Sequence, residues 1–203
     1  MSRLLIFGCG GHARSVADIY LRQFPQGELI FIDANGNPGE KILGFPVAHE
    51  VPANSPDDNL FFGIGDNRIR KLNFEQYPQF NIATIISSSA YLGACSKIKE
   101  GCFIGNFCHI GPDAYVGENT IINNGSIIEH EVRIGKHCHI APNATVSGRS
   151  QLGDEVFVGA GAVIIDKISV CSYVIIGAGS TVVNSIKVPG TYVGSPARLV
   201  SAK

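Results

Sequence analysis

From Ile86 to Val188 every sixth residue is Ile, Leu or Val, eighteen positions in a row without an insertion. A second slot, four residues after each, is mostly small or β-branched: Ala90, Ser96, Cys102, Cys108, Ala114, Thr120, Ser126, Val132, Cys138, Ala144, Ser150, Val156 and Ala162. Glycine often follows the aliphatic residue, as at Gly93, Gly105, Gly111, Gly117, Gly135, Gly153, Gly159 and Gly177. Alternating strands of an ordinary sandwich have no reason to keep an integer period of six over such a length. The pattern predicts a parallel β-helix built from short strand-plus-turn units, with the aliphatic residue inside and the small slot at the bend. Three hexads make one coil of about 18 residues, so this stretch predicts about six coils. Residues 18 apart then stack at one inter-strand spacing, about 4.8 Å.

The same register interprets the cysteines. Cys102, Cys108 and Cys138 occupy the small inward slot, and Cys102 and Cys138 lie two coils apart on one face with Thr120 between them. Two coils span roughly 9.6 Å, beyond the reach of a disulfide. No Cys-x-x-Cys pair exists, which excludes a zinc ribbon. Free thiols packed as small apolar groups, in a reducing cytoplasm, are expected. The formal charge of −1 and pI near 6.6 argue against nucleic acid or an anionic membrane as partner. No apolar run approaches the roughly 20 residues of a membrane-spanning helix, and Leu4–Phe7 is too short for a secretion signal.

Residues 1–85 lack the repeat and read as a Rossmann-like α/β domain; residues 86–203 form the β-helix domain. Leu4-Leu5-Ile6-Phe7 reads as a buried strand, followed by Gly8-Cys9-Gly10-Gly11-His12 and a helix from Ala13 to Phe24. A second strand, Leu29–Ile32, ends at Asp33. A third, Leu60–Phe62, runs into Gly63-Ile64-Gly65-Asp66-Asn67 and a basic helix from Arg68. Strand, glycine turn, helix, strand, acid is half of a nucleotide-binding unit. Its glycines let backbone approach a phosphate at a helix N-terminus, and Asp33 sits where a ribose or sugar hydroxyl would bind. The second half of a dinucleotide domain has no room here, so a mononucleotide or nucleotide-sugar pocket fits better than a dehydrogenase. A purely structural glycine turn would look alike.

Among the six histidines, register singles out His130, two residues after Ile128 at an outward corner. Pro112 and Gly148 stack below and above it, leaving space beside the imidazole. Glu129 and Glu131 flank it, and either could orient it as a general base. A solvated histidine in a charged turn is the alternative. His109, His137 and His139 are separated by 28 and 30 residues, not multiples of 18, so they do not stack and no metal site is expected within one chain. A third column at the same corner phase, Pro142, Ala160 and Ala178, would suit a long thin ligand, or simply reflect turn preference.

Taken together, the uninterrupted hexads, the closing Val188-Pro189-Gly190 and Val193-Gly194-Ser195-Pro196-Ala197, the leading Gly8-x-Gly10-Gly11-His12 and the motif Ile128-Glu129-His130-Glu131 resemble the hexapeptide-repeat sugar acetyltransferases of bacterial glycan biosynthesis. The likeness covers essentially the whole chain, departing at Pro142-Asn143, where relatives often carry glycine. It extends to enzymes of bacillosamine synthesis acting on UDP-linked 4-amino sugars, and to sialic-acid O-acetyltransferases. The resemblance implies a left-handed β-helix, a homotrimer, and acetyl-CoA bound between neighbouring subunits. It implies His130 as base and Glu131 as its polarising acid, with His139 near the thioester. Gly148 would donate its N–H to the oxyanion, and Ala160, Ala178 and Pro196 would line the pantetheine and adenine path. For the nucleotide sugar it implies Gly10, Gly11, His12, Asp33, Gly65, Asp66 and Asn67, with Asn123 near the sugar.

The expectation is therefore a cytoplasmic, acetyl-CoA-dependent N-acetyltransferase acting by direct transfer on a UDP- or dTDP-linked 4-amino-deoxy sugar. Its product would serve bacterial surface glycans such as lipopolysaccharide. Two alternatives stand beside it: O-acetylation of a sialic-acid-type sugar, and a non-catalytic nucleotide-sugar-binding trimer. Neither membrane insertion nor a metal cofactor is expected.

Overall fold

The computed structural model describes residues 3–37, 39–52 and 58–202. The chain divides into two compact units, Met1–Ile85 and Ile86–Lys203.

The first unit is a six-stranded sheet with two helices. Strand β1 (Leu4–Phe7) is followed by α1 (Gly11–Gln23), β2 (Leu29–Ile32), the hairpin β3 (Lys41–Ile42) and β4 (Phe45–Ala48), β5 (Asn59–Phe62), α2 (Asn67–Gln76) and β6 (Asn81–Ile82). The spatial order is β3-β4-β2-β1-β5-β6, with every pairing parallel except β3–β4. All four residues of β1 are buried, as its central place requires. On one face Leu5, Phe7, Ile32, Leu60 and Phe62 pack against Phe74, Tyr77 and Phe80. The three strands read from sequence are present. Both helices start one or two residues earlier than the pattern suggests, because the residues after Gly10 and Asp66 already adopt helical geometry. The hairpin and β6 escape the pattern: β3 and β6 are two residues long, and β4 carries Pro46.

The second unit is a left-handed parallel β-helix whose walls are sheets of eight, six and five short strands. Stacking follows the predicted interval: Leu92, Ile110, Ile128, Val146, Ile164 and Val182 pair in sequence, each 18 residues from the last. The aliphatic positions from Ile104 to Val182 are at most 5% exposed, and burying each contributes about 1.5–3 kcal/mol. Cys102, Cys108 and Cys138 lie buried in the small slot, and all six cysteines are free thiols. At the first coil, with no coil beneath it, Leu92 is 42% exposed.

The eighteenth position, Val188, does not belong to the interior, being 52% exposed. The last coil is shortened by two residues: Ile186 bridges Val170 and Tyr192 pairs with Ile176, both at an interval of 16. The chain then closes with strand Gly190–Val193 against the antiparallel strand Arg198–Ala202.

The glycines that follow the aliphatic residues do not make the left-handed bend themselves. The left-handed residue of each corner comes two positions later and is usually not glycine, as at Asp113, Glu131, Asn143, Arg149 and Lys167. The glycines instead permit close approach of the next coil. A Cβ on Gly111 would lie 2.6 Å from the His130 backbone nitrogen, and one on Gly117 2.6 Å from the Gly135 carbonyl carbon. Among the described residues no helix is long and apolar enough to cross a membrane.

Candidate active site

In the first unit the carboxyl ends of β1, β2, β4 and β5 open into a cleft of about 950 Å³, at the point where the connection out of β1 goes one way, to β2, and the one out of β5 goes the other, to β6. Gly8 turns the chain out of β1 with φ +95°, its open side against Ile64. Gly10 then caps α1 in extended geometry without a side-chain bond, and no acid occupies the helix's first turn. A Cβ at Gly10 or Gly11 would meet nothing within 4 Å. The N–H groups and positive end of α1 thus face the cleft, the arrangement that binds phosphate.

Gly10, Gly11, His12, Asp33 and Gly65 all line this cleft. Asp33 Oδ1 accepts the Asn35 N–H at 3.0 Å, and its carboxylate lies near the Cys9 thiol. Burial, reinforced by Asp33, pushes the Cys9 thiol up to about 11. It stays protonated at neutral pH and is a poor nucleophile. Burial pushes Cys108 to about 11 as well.

Asp66 and Asn67 both bond within their own helix. The Asp66 carboxylate caps α2, accepting the Ile69 N–H at 2.8 Å, and the Asn67 side-chain oxygen accepts from Arg70 at 2.9 Å. Arg70 is only 1% exposed and also donates to the carbonyls of Ile64 and Gly65, at 3.0 and 3.3 Å. Its guanidinium holds the loop that forms one wall of the cleft. Sequence reading treats Arg70 as one more charge on a basic helix; only its inward orientation shows otherwise. Asn35, His49, Glu50 and Tyr77 also line the cleft without a motif to announce them.

In the β-helix the corner after the strand Ile127–Ile128 carries His130. Its Nδ1 lies 2.9 Å from Glu131 Oε2, and the two side chains are about half exposed. Glu131 is the left-handed residue of this corner, φ +59°. Beside an ionised carboxylate the proton sits on Nδ1, which leaves Nε2 as acceptor. Gly148 stacks above, and a Cβ there would fall 2.7 Å from both His130 Cε1 and Nε2. Only glycine leaves the imidazole its place. The Gly148 N–H is buried and donates to no acceptor among the described residues. Next in the column stands Asp166, its Oδ1 3.1 Å from the same Cβ point, a residue the sequence reading does not single out.

The other predicted residues occupy different walls. His139, on the strand His139–Ile140, packs edge-on to Phe157 at 5.2 Å and faces the Asn123 amide at 3.4 Å. Ala160 and Ala178 form an exposed column above Pro142, linked by the bonds Gly161 N–H to Pro142 O and Gly179 N–H to Ala160 O. Pro196 is exposed beyond them, near the segment where the Ala197 N–H donates to Thr181 O. His137 is buried and bonded to Asn119 at 2.8 Å, while His109 stacks on Tyr91 at 5.1 Å. Among the described residues no three His, Cys, Asp or Glu side chains gather as a metal site would require.

Residues 3–77 match the PglD N-terminal domain, and residues 95–130 and 113–148 match the bacterial transferase hexapeptide repeat. The chain joins these two modules, and it is an acyltransferase of the hexapeptide-repeat class. Among solved structures it is similar to the acetyltransferase domain of PglB from Neisseria gonorrhoeae FA1090, with 26% identity and TM-score 0.92 over 98% of this chain and 100% of that one. The same domain in complex with acetyl coenzyme A matches at 26% identity and TM-score 0.90, covering 98% of each chain. A histidine-to-asparagine mutant of perosamine N-acetyltransferase from Caulobacter crescentus, in complex with CoA and GDP-perosamine, is 27% identical. Its TM-score is 0.85, over 98% of this chain and 97% of that one. No curated protein matches.

Proposed function

We propose that this protein is an acetyl-CoA-dependent N-acetyltransferase acting on a nucleotide-linked 4-amino-deoxy sugar. The observation that carries the reading is the His130–Glu131 pair with Nε2 directed at the Gly148 gap. The perosamine and PglB structures, bound to GDP-perosamine with CoA and to acetyl-CoA respectively, support the substrate classes. The amine lone pair attacks the thioester carbonyl, forming C–N and an oxyanion, and C–S breaks as the oxyanion collapses. His130 Nε2 takes the N–H proton and returns it to the CoA thiolate, while Glu131 stabilises the imidazolium. The Gly148 N–H stabilises the oxyanion, so no acyl-enzyme is required. His139, Ala160, Ala178 and Pro196 would contact acetyl-CoA. The phosphates would sit at Gly10 and Gly11 with the remaining sugar nucleotide near His12, Asp33 and Gly65, and Asn123 would lie near the sugar.

A homotrimer fits the outward ladders. One wall presents Tyr91, His109, Ile127, Thr145, Val163 and Thr181, with Tyr91 60% and Ile127 37% exposed, while another presents Lys97, Tyr115, Arg133, Gln151 and Ser169. The exposed Tyr91 and Ile127 on this wall support association. Free thiols fit a reducing cytoplasm, where acetylated sugar nucleotides would feed surface glycans. The test is CoA release from acetyl-CoA with UDP-, dTDP- and GDP-linked 4-amino sugars and free sialic acid. Turnover on one of the nucleotide amino sugars is expected; turnover confined to sialic acid, or none, would contradict the reading.

A further inference from the structure

We propose that Phe107, with the Asn124 amide, forms the binding platform for the acceptor sugar, an inference that rests on the acetyl-transfer reading above. Phe107 is 78% exposed, the most exposed large apolar side chain among the described residues. It stands in the left-handed position of its corner, φ +58°, where the coils above it carry Gly125, Asn143, Gly161 and Gly179. Neither the turn nor the core calls for a phenyl ring there. The groups bonded around it are polar. Asn124 Oδ1 accepts the Asn106 N–H at 2.8 Å, the Gly125 N–H donates to Asn106 O at 2.8 Å, and Ser89 Oγ accepts the Phe107 N–H at 3.2 Å. With its oxygen engaged, the exposed Asn124 side chain keeps both Nδ2 hydrogens for a ligand, donating to no acceptor among the described residues.

An open ring beside an amide donor suits a sugar: the ring covers an apolar C–H face, and the amide donates to a hydroxyl oxygen. A protein partner would call instead for a contiguous apolar patch, which Ser89, Asn106 and Asn124 interrupt. Register sets this platform in line with the acetyl donor. Pro142, Ala160 and Ala178 share its corner, and the Asn143 N–H donates to Asn124 O at 3.0 Å, tying the coils together. Asn124 and Asn106 thus continue that column by one and two coils, about 4.8 Å each. With acetyl-CoA along the column and its thioester near His139, the next position is Asn124, whose N–H donates to Asn123 Oδ1 at 2.9 Å. His130 lies on the following corner, so in the homotrimer proposed above the sugar held here meets His130 of the partner subunit.

The test compares wild type with Phe107→Ala, Phe107→Tyr and Asn124→Asp; the last keeps an acceptor for the Asn106 N–H and loses the amide donor. Calorimetry sets UDP-, dTDP- and GDP-linked 4-amino-4-deoxy sugars against UDP, dTDP and GDP alone, and measures acetyl-CoA. Light scattering gives the oligomeric state. The nucleotide amino sugar that wild type binds best should bind Phe107→Ala and Asn124→Asp about tenfold less tightly. Its parent nucleotide and acetyl-CoA should stay within about twofold, and tyrosine should restore most of the loss. An unchanged preference for the sugar over its parent nucleotide in these variants would overturn the platform, as would an equal loss for both. Dissociation of the oligomer in Phe107→Ala would also overturn it, making the ring an interface residue. The expected binding pattern in a protein without turnover would contradict acetyl transfer and leave the platform standing.

Discussion

In the β-helix a residue's neighbours can be counted from its number, whereas in the α/β unit they cannot. His130 meets Gly148 because 18 residues separate them, and Asp166 follows after 18 more. Gly10, Asp33, His49 and Gly65 meet around one cleft only because parallel strands deliver their carboxyl ends to the same edge. A repeated coil makes chemistry addressable by register, and a crossed sheet makes it addressable by topology. The consequence is a difference in tolerance. The corner site depends on the spacing of a stiff ladder; the cleft depends on loops held by individual hydrogen bonds.

That difference can be pressed experimentally. Ile128→Ala removes a fully buried side chain directly behind the His130 corner, and should cost about 2–5 kcal/mol. Thermal unfolding should show the loss in the β-helix, and an unchanged melting profile would contradict the ladder account. Gly148→Ala places a Cβ where the His130 ring lies. Turnover should fall about 10²-fold, or about 2.7 kcal/mol, with the nucleotide-sugar affinity retained. Loss of that affinity instead would mean that the corner and the cleft are not separable.

In the α/β unit, Arg70→Ala releases the Ile64 and Gly65 carbonyls and should raise KM for the nucleotide sugar about tenfold, or 1.4 kcal/mol. KM for acetyl-CoA should not move. If both KM values rise together, Arg70 supports the fold rather than the cleft wall. The smallest effect belongs to Cys9→Ala. With its thiol pushed up to about 11, Cys9 should react slowly with iodoacetamide at pH 7.5, and its removal should change turnover less than about twofold.

What could be read in advance follows the same division. Nearly the whole β-helix was legible, since an aliphatic every six residues leaves one way to stack. Reading failed where the interval changed, at Val188, because a two-residue shortening leaves apolar composition intact. It also failed to distinguish the two uses of glycine: Gly111 is glycine because the next coil passes within contact distance, a fact about neighbours rather than about the turn. In the α/β unit the strands and the cleft residues Gly10, Gly11, His12, Asp33 and Gly65 were legible from strand and turn order. Asp66 and Asn67 sit in the same motif and also bond to their own helix; a cap and a ligand contact call for the same side chains.

The most direct measurement is single-turnover acetyl transfer by His130→Ala, alongside calorimetric binding of acetyl-CoA and the nucleotide amino sugar to the same protein. With the β-helix intact by thermal unfolding, both ligands should bind near wild-type strength while the transfer rate drops by at least about 10²-fold. Transfer at a near-normal rate by that variant would contradict the assignment of His130 as the base and, with it, the corner as the catalytic centre.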